Sequence, residues 1–239
     1  MTDTPPITGL LNIDKPLGWS SMKVCAHIRA KLRRAGAPKR IKVGHGGTLD
    51  PLATGVLVVL VGRATKLCDQ IMQGEKEYRA TIDLSRTSDT DDLEGPVHDA
   101  PITTIPTADD ITAACAPFIG TIQQTPPAYS AIKVDGKRAY ALARAGDAPQ
   151  LSPRPVTIHA IELEHYEWPE ATLRVRSGKG VYLRSLARDL GRALNTGGML
   201  TALVRTRIAD FTLEYAIKPD DLPDPLPPES LQQIPEDLA

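Results

Sequence analysis

Residues 44–55 read GHGGTLDPLATG, and the chain continues through residues 55–62 as GVLVVLVG. Four glycines within residues 44–55 allow the backbone to lie close against a ligand, and the same segment carries one carboxylate, Asp50. The second segment is uncharged and rich in β-branched residues, which predicts a buried strand. A ligand-binding loop that leads into a core strand is one interpretation. A simple turn is the alternative, because glycines and Asp50-Pro51 are also common turn chemistry.

The composition excludes several classes of protein. Of the 239 residues, 41% are apolar and 24% are charged, which is enough apolar material for a core and excludes a wholly disordered chain. The longest apolar run, residues 56–61, is far shorter than the ~20 residues that span a bilayer. The N-terminus lacks the basic start and apolar stretch of a secretory signal. Three widely spaced cysteines predict free thiols, and we expect a cytoplasmic protein without membrane association.

The net charge is −1, but the charges are unevenly distributed along the chain. Residues 15–49 contain nine Lys and Arg and no Asp or Glu. Residues 171–210 contain eight Lys and Arg and two Asp. Acidic residues are concentrated in residues 83–110 and 214–239, with eight and seven respectively. Two basic segments on a nearly neutral chain predict one basic face, although two solvated helix surfaces would produce the same pattern.

Predicted strands and helices interleave without a regular βαβ period, so we expect an α+β fold with a mixed, mainly antiparallel sheet flanked by helices. The pattern predicts strands over residues 9–14, 55–62, 75–84, 155–168 and 171–177. It predicts helices over residues 64–73 and 181–194. Two further helices are predicted to begin after capping residues, one after Ser20 or Ser21 and one after Thr107. Asp135-Gly136 predicts a tight turn. Residues 1–8 are expected to form a flexible N-terminus, residues 9–217 the functional domain, and residues 218–239 a Pro-rich, acidic, partly ordered tail.

Two further segments carry residues suited to a site. Gly178-Lys179-Gly180 precedes a predicted helix that displays Tyr182 and Arg184, and backbone amides at a helix start suit a phosphate. An arginine aimed at a carboxylate would hold it ionised and in position. Tyr78, near the start of a predicted strand, offers a flat surface to a nucleobase. Each has an ordinary alternative, since Arg184 fits a solvated helix face and a strand tyrosine is usually half-buried packing.

Common enzyme and metal motifs are absent from the sequence. Residues 44–55 lack the Gly-Lys-Ser/Thr ending of a P-loop, and no Gly-x-Ser-x-Gly nucleophile elbow accompanies them. The five histidines are scattered without metal-ligand spacing.

Taken together, these segments resemble the TruB family of tRNA pseudouridine synthases over residues 9–217. Each motif is weak alone, but nine occur in the family's order, which makes the resemblance specific. The motifs used below are Asp14-Lys15-Pro16-x-Gly18-x-Ser20-Ser21, Gly44-His45-x-Gly47-x-Leu49-Asp50-Pro51-x-Ala53-x-Gly55, Lys76-x-Tyr78, Asp89-Thr90-x-Asp92, Lys179-Gly180-x-Tyr182-x-Arg184 and Leu203-x-Arg205.

The resemblance implies an isomerase that converts one uridine of tRNA, at position 55 in the T loop, to pseudouridine after flipping the base out of the loop. The family's nucleophilic aspartate falls on Asp50, and the arginine that pairs with it falls on Arg184. Tyr78 matches the tyrosine that stacks on the flipped uracil and takes part in removing the C5 proton. Tyr182 and Leu203 match residues that line the uracil pocket. His45 matches the residue that fills the space left in the T loop by the flipped bases, and Lys15 is expected to hold phosphates.

The implied reaction leaves the chemistry of the nucleophile open. A carboxylate can act as a covalent nucleophile, but the sequence does not distinguish attack at C1′ from attack at C6 or from removal of a ribose proton. No step needs redox chemistry or hydrolysis, so the resemblance implies no cofactor and no metal.

The chain also departs from many bacterial members of the family. Only 22 residues follow residue 217, too few for the C-terminal PUA domain of those members, since independent folds rarely fall below ~40 residues. We therefore expect tRNA affinity to depend on residues 9–217 and to be weaker and more salt-sensitive than in a PUA-bearing relative. An acidic tail folded back on the basic face would compete with RNA.

Three alternatives accompany this interpretation. One is a guide-RNA-dependent, dyskerin-like relative, which relies on a PUA domain and protein partners. A second is a non-catalytic tRNA-binding or RNA-chaperone protein, for which Asp50 and Arg184 would have no use. A third is a carboxylate-based hydrolase, which would need a second acidic partner for Asp50. We expect the T-stem loop of tRNA as the partner, no obligatory protein partner and a monomer.

Overall fold

The structure is a computed structural model that describes residues 7–130, 133–134, 137–144, 149 and 151–235. The turn predicted at Asp135-Gly136 and most of the predicted flexible N-terminus lie outside these residues. No helix within the described ranges is long and apolar enough to cross a membrane.

The described residues form an α+β fold, which confirms the predicted class. The strands are β1 (Gly9–Lys15), β2 (Val43–His45), β3 (Ala53–Val61), β4 (Lys76–Asp83), β5 (Arg86–Ser88), β6 (Val97–Asp99), β7 (Gly120–Gln124), β8 (Lys133–Val134), β9 (Lys137–Arg138), β10 (Arg154–Glu167), β11 (Glu170–Ser177), β12 (Met199–Ile208) and β13 (Phe211–Thr212). The α-helices are α1 (Ser21–Arg34), α2 (Cys68–Gln73), α3 (Ala108–Cys115), α4 (Ala139–Arg144) and α5 (Leu183–Leu194).

The chain divides into two compact units. Unit 1 consists of Met1–Glu77 and Val204–Ala239, and unit 2 consists of Tyr78–Leu203. The boundaries fall inside β4 and inside β12, so each of these strands contributes residues to both units.

Unit 1 is built on β3, whose residues 56–61 are all fully buried. β1 pairs with β3 in antiparallel register from Gly9↔Val61 to Lys15↔Gly55, and β2 also pairs with it antiparallel. Burial of both faces explains why this strand is an unbroken apolar run. One face of β3 belongs to a cluster that joins β1, α2 and β12: Leu10, Val56, Val58, Leu60, Ala64, Ile71 and Ile208.

Helix α1 begins where the sequence predicts it. Ser20 is its N-cap, because the Ser20 hydroxyl accepts a hydrogen bond of 3.1 Å from the backbone N–H of Lys23. Val24, Ile28 and Leu32 recur at helical spacing and are fully buried, so the helix holds unit 1 by one apolar face.

The C-terminal segment, residues 217–235, pairs with β1, where the sequence predicted a partly ordered tail. Leu10 and Gln232 exchange two backbone hydrogen bonds of 2.9 Å, and Ile217 accepts from the Asp14 N–H and donates to Asn12 O. Because β3 is the sheet neighbour of β1, these bonds cover the opposite edge of β1.

The same segment binds the C-terminal end of α1. Lys31 Nζ donates to Leu222 O at 2.7 Å, and the Leu226 N–H donates to Lys31 O at 3.2 Å. The guanidinium of Arg34 makes two hydrogen bonds of 2.5 and 2.7 Å to Asp224, which hold the pKa of that carboxyl below its usual range. The prolines of this segment exclude a regular helix. Leu222 and Leu226, which lie among these prolines, are buried and hold the segment against the rest of unit 1 by apolar packing.

Unit 2 contains an antiparallel meander of β7, β10 and β11. β10 pairs with β7 from Arg154↔Gln124 to Ile158↔Gly120 and with β11 down to Glu167↔Glu170, and β4 lies beside β11. Helix α3 packs against β10 and α5. Thr107 caps α3 in a reciprocal capping box with Asp110, as the acidic first turn indicates.

Several short strands lie where the sequence predicted no strand. β5 and β6 form a hairpin inside the acidic segment, and β7 is the polar stretch GTIQQ. Strands of three to five residues that expose polar side chains carry little periodic signal, so their existence depends on the strands beside them.

We predict that Leu226→Ala lowers the free energy of unfolding by ~2–5 kcal/mol, because the side chain is fully buried and its removal leaves a cavity. Urea unfolding followed by circular dichroism measures the change. Leu93→Ala is the control, since Leu93 is 48% exposed and its truncation should cost less than ~1 kcal/mol. Equal effects of the two substitutions would contradict the packed position of the C-terminal segment.

Candidate active site

The structure distributes the predicted site residues over both units. Lys15, His45 and Asp50 lie in unit 1, and Tyr78, Tyr182, Arg184 and Leu203 lie in unit 2.

Asp50 lies half-buried in the loop between β2 and β3. The residues on either side of it are bound to the segment that leads into α1. The Ser21 hydroxyl donates to Leu49 O at 3.0 Å and accepts from the Leu49 N–H at 2.9 Å, and the Gly18 N–H donates to Pro51 O at 2.9 Å. The loop is therefore fixed at both neighbours of its carboxylate.

Arg205 joins the two ends of this loop. Its side chain is 1% exposed, Nε donates to Val56 O at 2.7 Å, and Nη2 donates to Gly47 O at 3.0 Å. Gly55 is required at the contact, because its φ is +95° and a Cβ there would lie 2.3 Å from Arg205 O. Gly55 thus serves a close approach of backbone to backbone inside the protein.

Lys15 is completely buried, and its Nζ donates to Pro16 O at 3.1 Å and to Trp19 O at 2.6 Å. The family resemblance implies that Lys15 holds an RNA phosphate. A side chain with no exposed surface does not reach a phosphate in this structure, so the geometry differs from that assignment.

The charge of Lys15 nonetheless belongs to the site. Burial lowers the pKa of Lys15 to about 8, the Asp50 and Asp14 carboxylates oppose this, and the Arg205 guanidinium reinforces it. Lys15, Asp50 and Arg205 are therefore close enough to interact electrostatically inside unit 1.

His45 lies half-buried on β2, opposite Val59 of β3. Burial, and then the charge of Arg205, lower the pKa of His45, so its imidazole is neutral at neutral pH. No group in the described ranges hydrogen-bonds to its buried Nδ1.

Arg184 is the second residue of α5 and is almost completely buried. Nη2 donates to Tyr129 O at 2.9 Å, Nη1 donates to Thr90 O at 3.3 Å, and Nη1 lies 3.4 Å from the carboxylate of Asp92. Asp92 is 1% exposed and also accepts a 2.5 Å hydrogen bond from the Thr90 hydroxyl. Within unit 2 the arginine is thus held by a carboxylate that the sequence analysis did not single out.

Tyr182 immediately precedes α5 and is fixed by Gln124 of β7. The Gln124 amide accepts from the Tyr182 N–H at 2.9 Å and donates to Tyr182 O at 3.1 Å. The Arg154 guanidinium lies 5.1 Å from the centre of the Tyr182 ring. The start of α5 is therefore held by the meander, and with it Arg184.

Tyr78 and Leu203 are placed differently with respect to solvent. Tyr78, on β4, is 8% exposed, and Leu203, on β12, is half-buried. A tyrosine with so little exposure also fits the ordinary packing role that the sequence analysis left open.

Four residues that hold the site residues in place were not predicted from the sequence: Ser21, Asp92, Gln124 and Arg205. Three of them occur in the motifs quoted above, but a motif does not say which backbone group a side chain binds. Gln124 lies in a polar strand that carried no signal.

Most cations of the first basic segment face solvent. Lys15 and Lys31 are buried, whereas six others are exposed: Lys23, Arg33, Arg34, Lys39, Arg40 and Lys42. The described part of the chain holds no cluster of three or more His, Cys, Asp or Glu side chains arranged for a metal ion.

Comparison with protein families identifies a match over residues 33–183 to the family described as "TruB family pseudouridylate synthase (N terminal domain)". The matched range contains Asp50, Tyr78 and Tyr182. Lys15, Arg184 and Leu203 lie outside it.

Similar sequences of named proteins cover most of the chain. A protein of Bacteroides fragilis named tRNA pseudouridine synthase B is 47% identical over 210 residues, which are 88% of this chain and 90% of that protein. A protein of the same name from Phocaeicola vulgatus is 44% identical over 225 residues, 94% of this chain and 96% of its own. One from Arthrobacter sp. is 46% identical over 88% of this chain and 69% of its own length.

Similar solved structures belong to larger assemblies. A chain of a Cbf5–Nop10–Gar1 complex superposes with a TM-score of 0.68 at 31% identity over 90% of this chain. A chain of an H/ACA RNP bound to a substrate RNA containing 2′-deoxyuridine superposes with a TM-score of 0.66 at 29% identity. This chain spans about half the length of those chains, 53% and 52% respectively.

We predict that the contribution of Lys15 to the free energy of unfolding rises between pH 8 and pH 10.5, although burial raises the pKa of the Cys25 and Cys115 thiols to about 11 and their contribution falls at the upper end of this window. The unfolded chain holds the lysine proton up to its usual pKa of 10.5, whereas the folded protein loses it near 8. Raising the pH through this window therefore favours the folded state, by up to ~3 kcal/mol.

Urea unfolding of the wild type and Lys15→Met at several pH values tests this. The difference in unfolding free energy between the two proteins should change across the window, and Lys39→Met, at an exposed position, should give a profile parallel to the wild type. Parallel profiles for wild type and Lys15→Met would contradict the buried ammonium.

Proposed function

The chain belongs to the TruB family of pseudouridylate synthases, and from this premise we propose that it isomerises uridine 55 in the T loop of tRNA to pseudouridine with Asp50 as the nucleophile. The proposal extends to this chain the activity for which its bacterial relatives are named. The observation that carries it is the placement of Asp50. The aspartate of the family motif lies in a loop bound on both sides by α1 and its preceding segment, beside the buried charges of Lys15 and Arg205.

The reaction rearranges one nucleotide without a net exchange of atoms. The bond between N1 of uracil and C1′ of ribose breaks, the base turns, and a bond forms between C5 and C1′. C5 loses a proton and N1 ends with one, so neither water nor an electron carrier is consumed. A carboxylate is suited to hold the reacting sugar or ring while the base turns.

Residues of unit 2 are assigned to the base. Tyr78 stacks on the flipped uracil and takes part in removing the C5 proton, and Tyr182 and Leu203 line the uracil pocket. Arg184 matches the arginine that pairs with the aspartate in the family. Its hydrogen bonds to Tyr129 O and Thr90 O support a fixed guanidinium, which can stabilise charge without reorganising during the reaction.

His45 is assigned to the space that the flipped bases leave in the T loop. Flipping is needed because the target atoms are out of reach inside a folded loop, and it costs a few kcal/mol that contacts must offset. Burial, and then the charge of Arg205, lower the pKa of His45 and so favour its uncharged form. Lys15, being buried, is reassigned from phosphate binding to the electrostatic support of Asp50.

The tRNA is proposed to bind through its phosphates along the exposed cations of residues 23–42. A monomeric state, a cytoplasmic location and independence from protein partners stay predictions. The second candidate function is a tRNA-binding or RNA-chaperone protein without catalysis. The same exposed cations would serve it, but it leaves the fixed carboxylate of Asp50 without a role.

We predict that the protein alone forms pseudouridine at the T-loop uridine of an unmodified tRNA transcript, and that Asp50→Asn lowers the rate by roughly a thousandfold or more. Mapping pseudouridine nucleotide by nucleotide measures both. Asp220→Asn is the matched control, because Asp220 is exposed in the C-terminal segment. A folded wild type that binds tRNA without forming product would favour the binding-only function, and full activity of Asp50→Asn would contradict the nucleophile.

We predict that tRNA affinity depends steeply on salt. If three of the six exposed cations contact phosphates, the association constant falls by about 40-fold between 50 and 200 mM salt. Fluorescence anisotropy with labelled tRNA measures the slope, and Arg40→Gln with Lys42→Gln should flatten it. A slope near zero for the wild type would contradict the proposed basic surface.

A further inference from the structure

We propose that Ser21 is a positioning residue for Asp50, and that its hydroxyl sets the orientation of the carboxylate through the neighbouring residue Leu49. This inference rests on the proposed function, because it assigns Ser21 to the reaction that Asp50 carries out. Ser21 touches neither the substrate nor the reacting atoms in this account, and it acts through the backbone.

The contact between Ser21 and Leu49 is unusually complete for one side chain. The Ser21 hydroxyl donates to Leu49 O at 3.0 Å and accepts from the Leu49 N–H at 2.9 Å, so one oxygen satisfies both backbone groups of a residue 28 positions away. Ser21 is 2% and Leu49 4% exposed, so bulk water does not compete for these hydrogen bonds. Buried backbone groups need such partners, so the contact fixes the position of Leu49.

Fixing Leu49 also fixes Asp50, which follows it directly. On the other side of Asp50, the Gly18 N–H donates to Pro51 O at 2.9 Å. The Asp50 carboxylate therefore projects from a short segment that is bound on both sides. Leu49 binds Ser21 at the start of α1, and Pro51 binds Gly18 just before that helix. Because α1 is a regular helix with a buried face, it provides the rigid support that catalytic geometry requires.

The two serines at the start of α1 have separate tasks. The Ser20 hydroxyl accepts from the Lys23 N–H at 3.1 Å, is exposed and caps the helix. The Ser21 hydroxyl is buried and binds the loop. Ser20→Ala thus weakens the same helix without removing a bond to Leu49, and it is the matched control for Ser21→Ala.

The experiment compares wild type, Ser21→Ala, Ser20→Ala and Asp50→Asn under single-turnover conditions with saturating unmodified tRNA transcript. We expect Ser21→Ala to lower the rate of pseudouridine formation by about 10- to 100-fold, since small displacements of a reacting group have effects of this size. Its Kd for tRNA should stay within about twofold of wild type. Ser20→Ala should keep a rate within about threefold of wild type.

Amide hydrogen exchange gives a readout that does not depend on activity. Ser21→Ala should raise exchange in peptides that cover residues 47–53 while other peptides of unit 1 stay protected, and Ser20→Ala should leave residues 47–53 protected. Ser21→Cys keeps the size of the side chain and weakens both hydrogen bonds, so it tests the same point if Ser21→Ala does not fold. Its rate should fall between those of wild type and Asp50→Asn.

The outcomes separate this inference from the proposed function. A wild type without pseudouridine formation overturns the proposed function, and the exchange data then decide whether Ser21 holds the loop. With an active wild type, a folded Ser21→Ala or Ser21→Cys protein of wild-type rate overturns the positioning role. Equal losses of rate in Ser21→Ala and Ser20→Ala also overturn it, because they would reflect helix stability alone.

Discussion

A guanidinium buried in unit 1 holds the two ends of the loop that carries Asp50. Arg205 donates to Gly47 O at one end and to Val56 O at the other, and its neighbouring backbone leaves no room for a side chain at Gly55. A buried cation is tolerated only when its donors are satisfied, so the loop carbonyls and Arg205 stabilise each other. The glycine at position 55 follows from this packing.

Charged side chains are held in place within each unit. Lys15 is buried close enough to Asp50 for the two charges to interact, and its ammonium is held by the carbonyls of Pro16 and Trp19. Arg184 is held in unit 2 by its own set of carbonyls and by Asp92. Preorganised charges of this kind stabilise a reaction without moving, which suits an isomerisation in which the base must turn and the protein need not.

Local patterns in the sequence predicted the main elements, and long-range contacts accounted for the differences. The apolar run of β3 and the capped start of α1 were predictable because period and capping chemistry are local. The binding of residues 217–235 to β1 and α1 was not, because prolines and acids suggest disorder while the buried Leu222 and Leu226 act only through distant partners. The burial of Lys15 was not predictable for a similar reason: lysine is rarely fully buried, and only the carbonyls around its ammonium show why this one is.

The site itself was only partly predictable. The family motif singles out Asp50 as a residue, but the bonds that orient it come from Ser21, Gly18 and Arg205, each far from it in sequence. The most direct measurement is a crystal structure of the protein with a T-stem-loop RNA. We predict that the target uridine is flipped out of the loop, with an Asp50 carboxylate oxygen within ~3.5 Å of C1′ or C6 and with Leu49 still bound to Ser21. A uridine that stays stacked in the loop, with the Asp50 carboxylate out of reach of its sugar and ring, would contradict it.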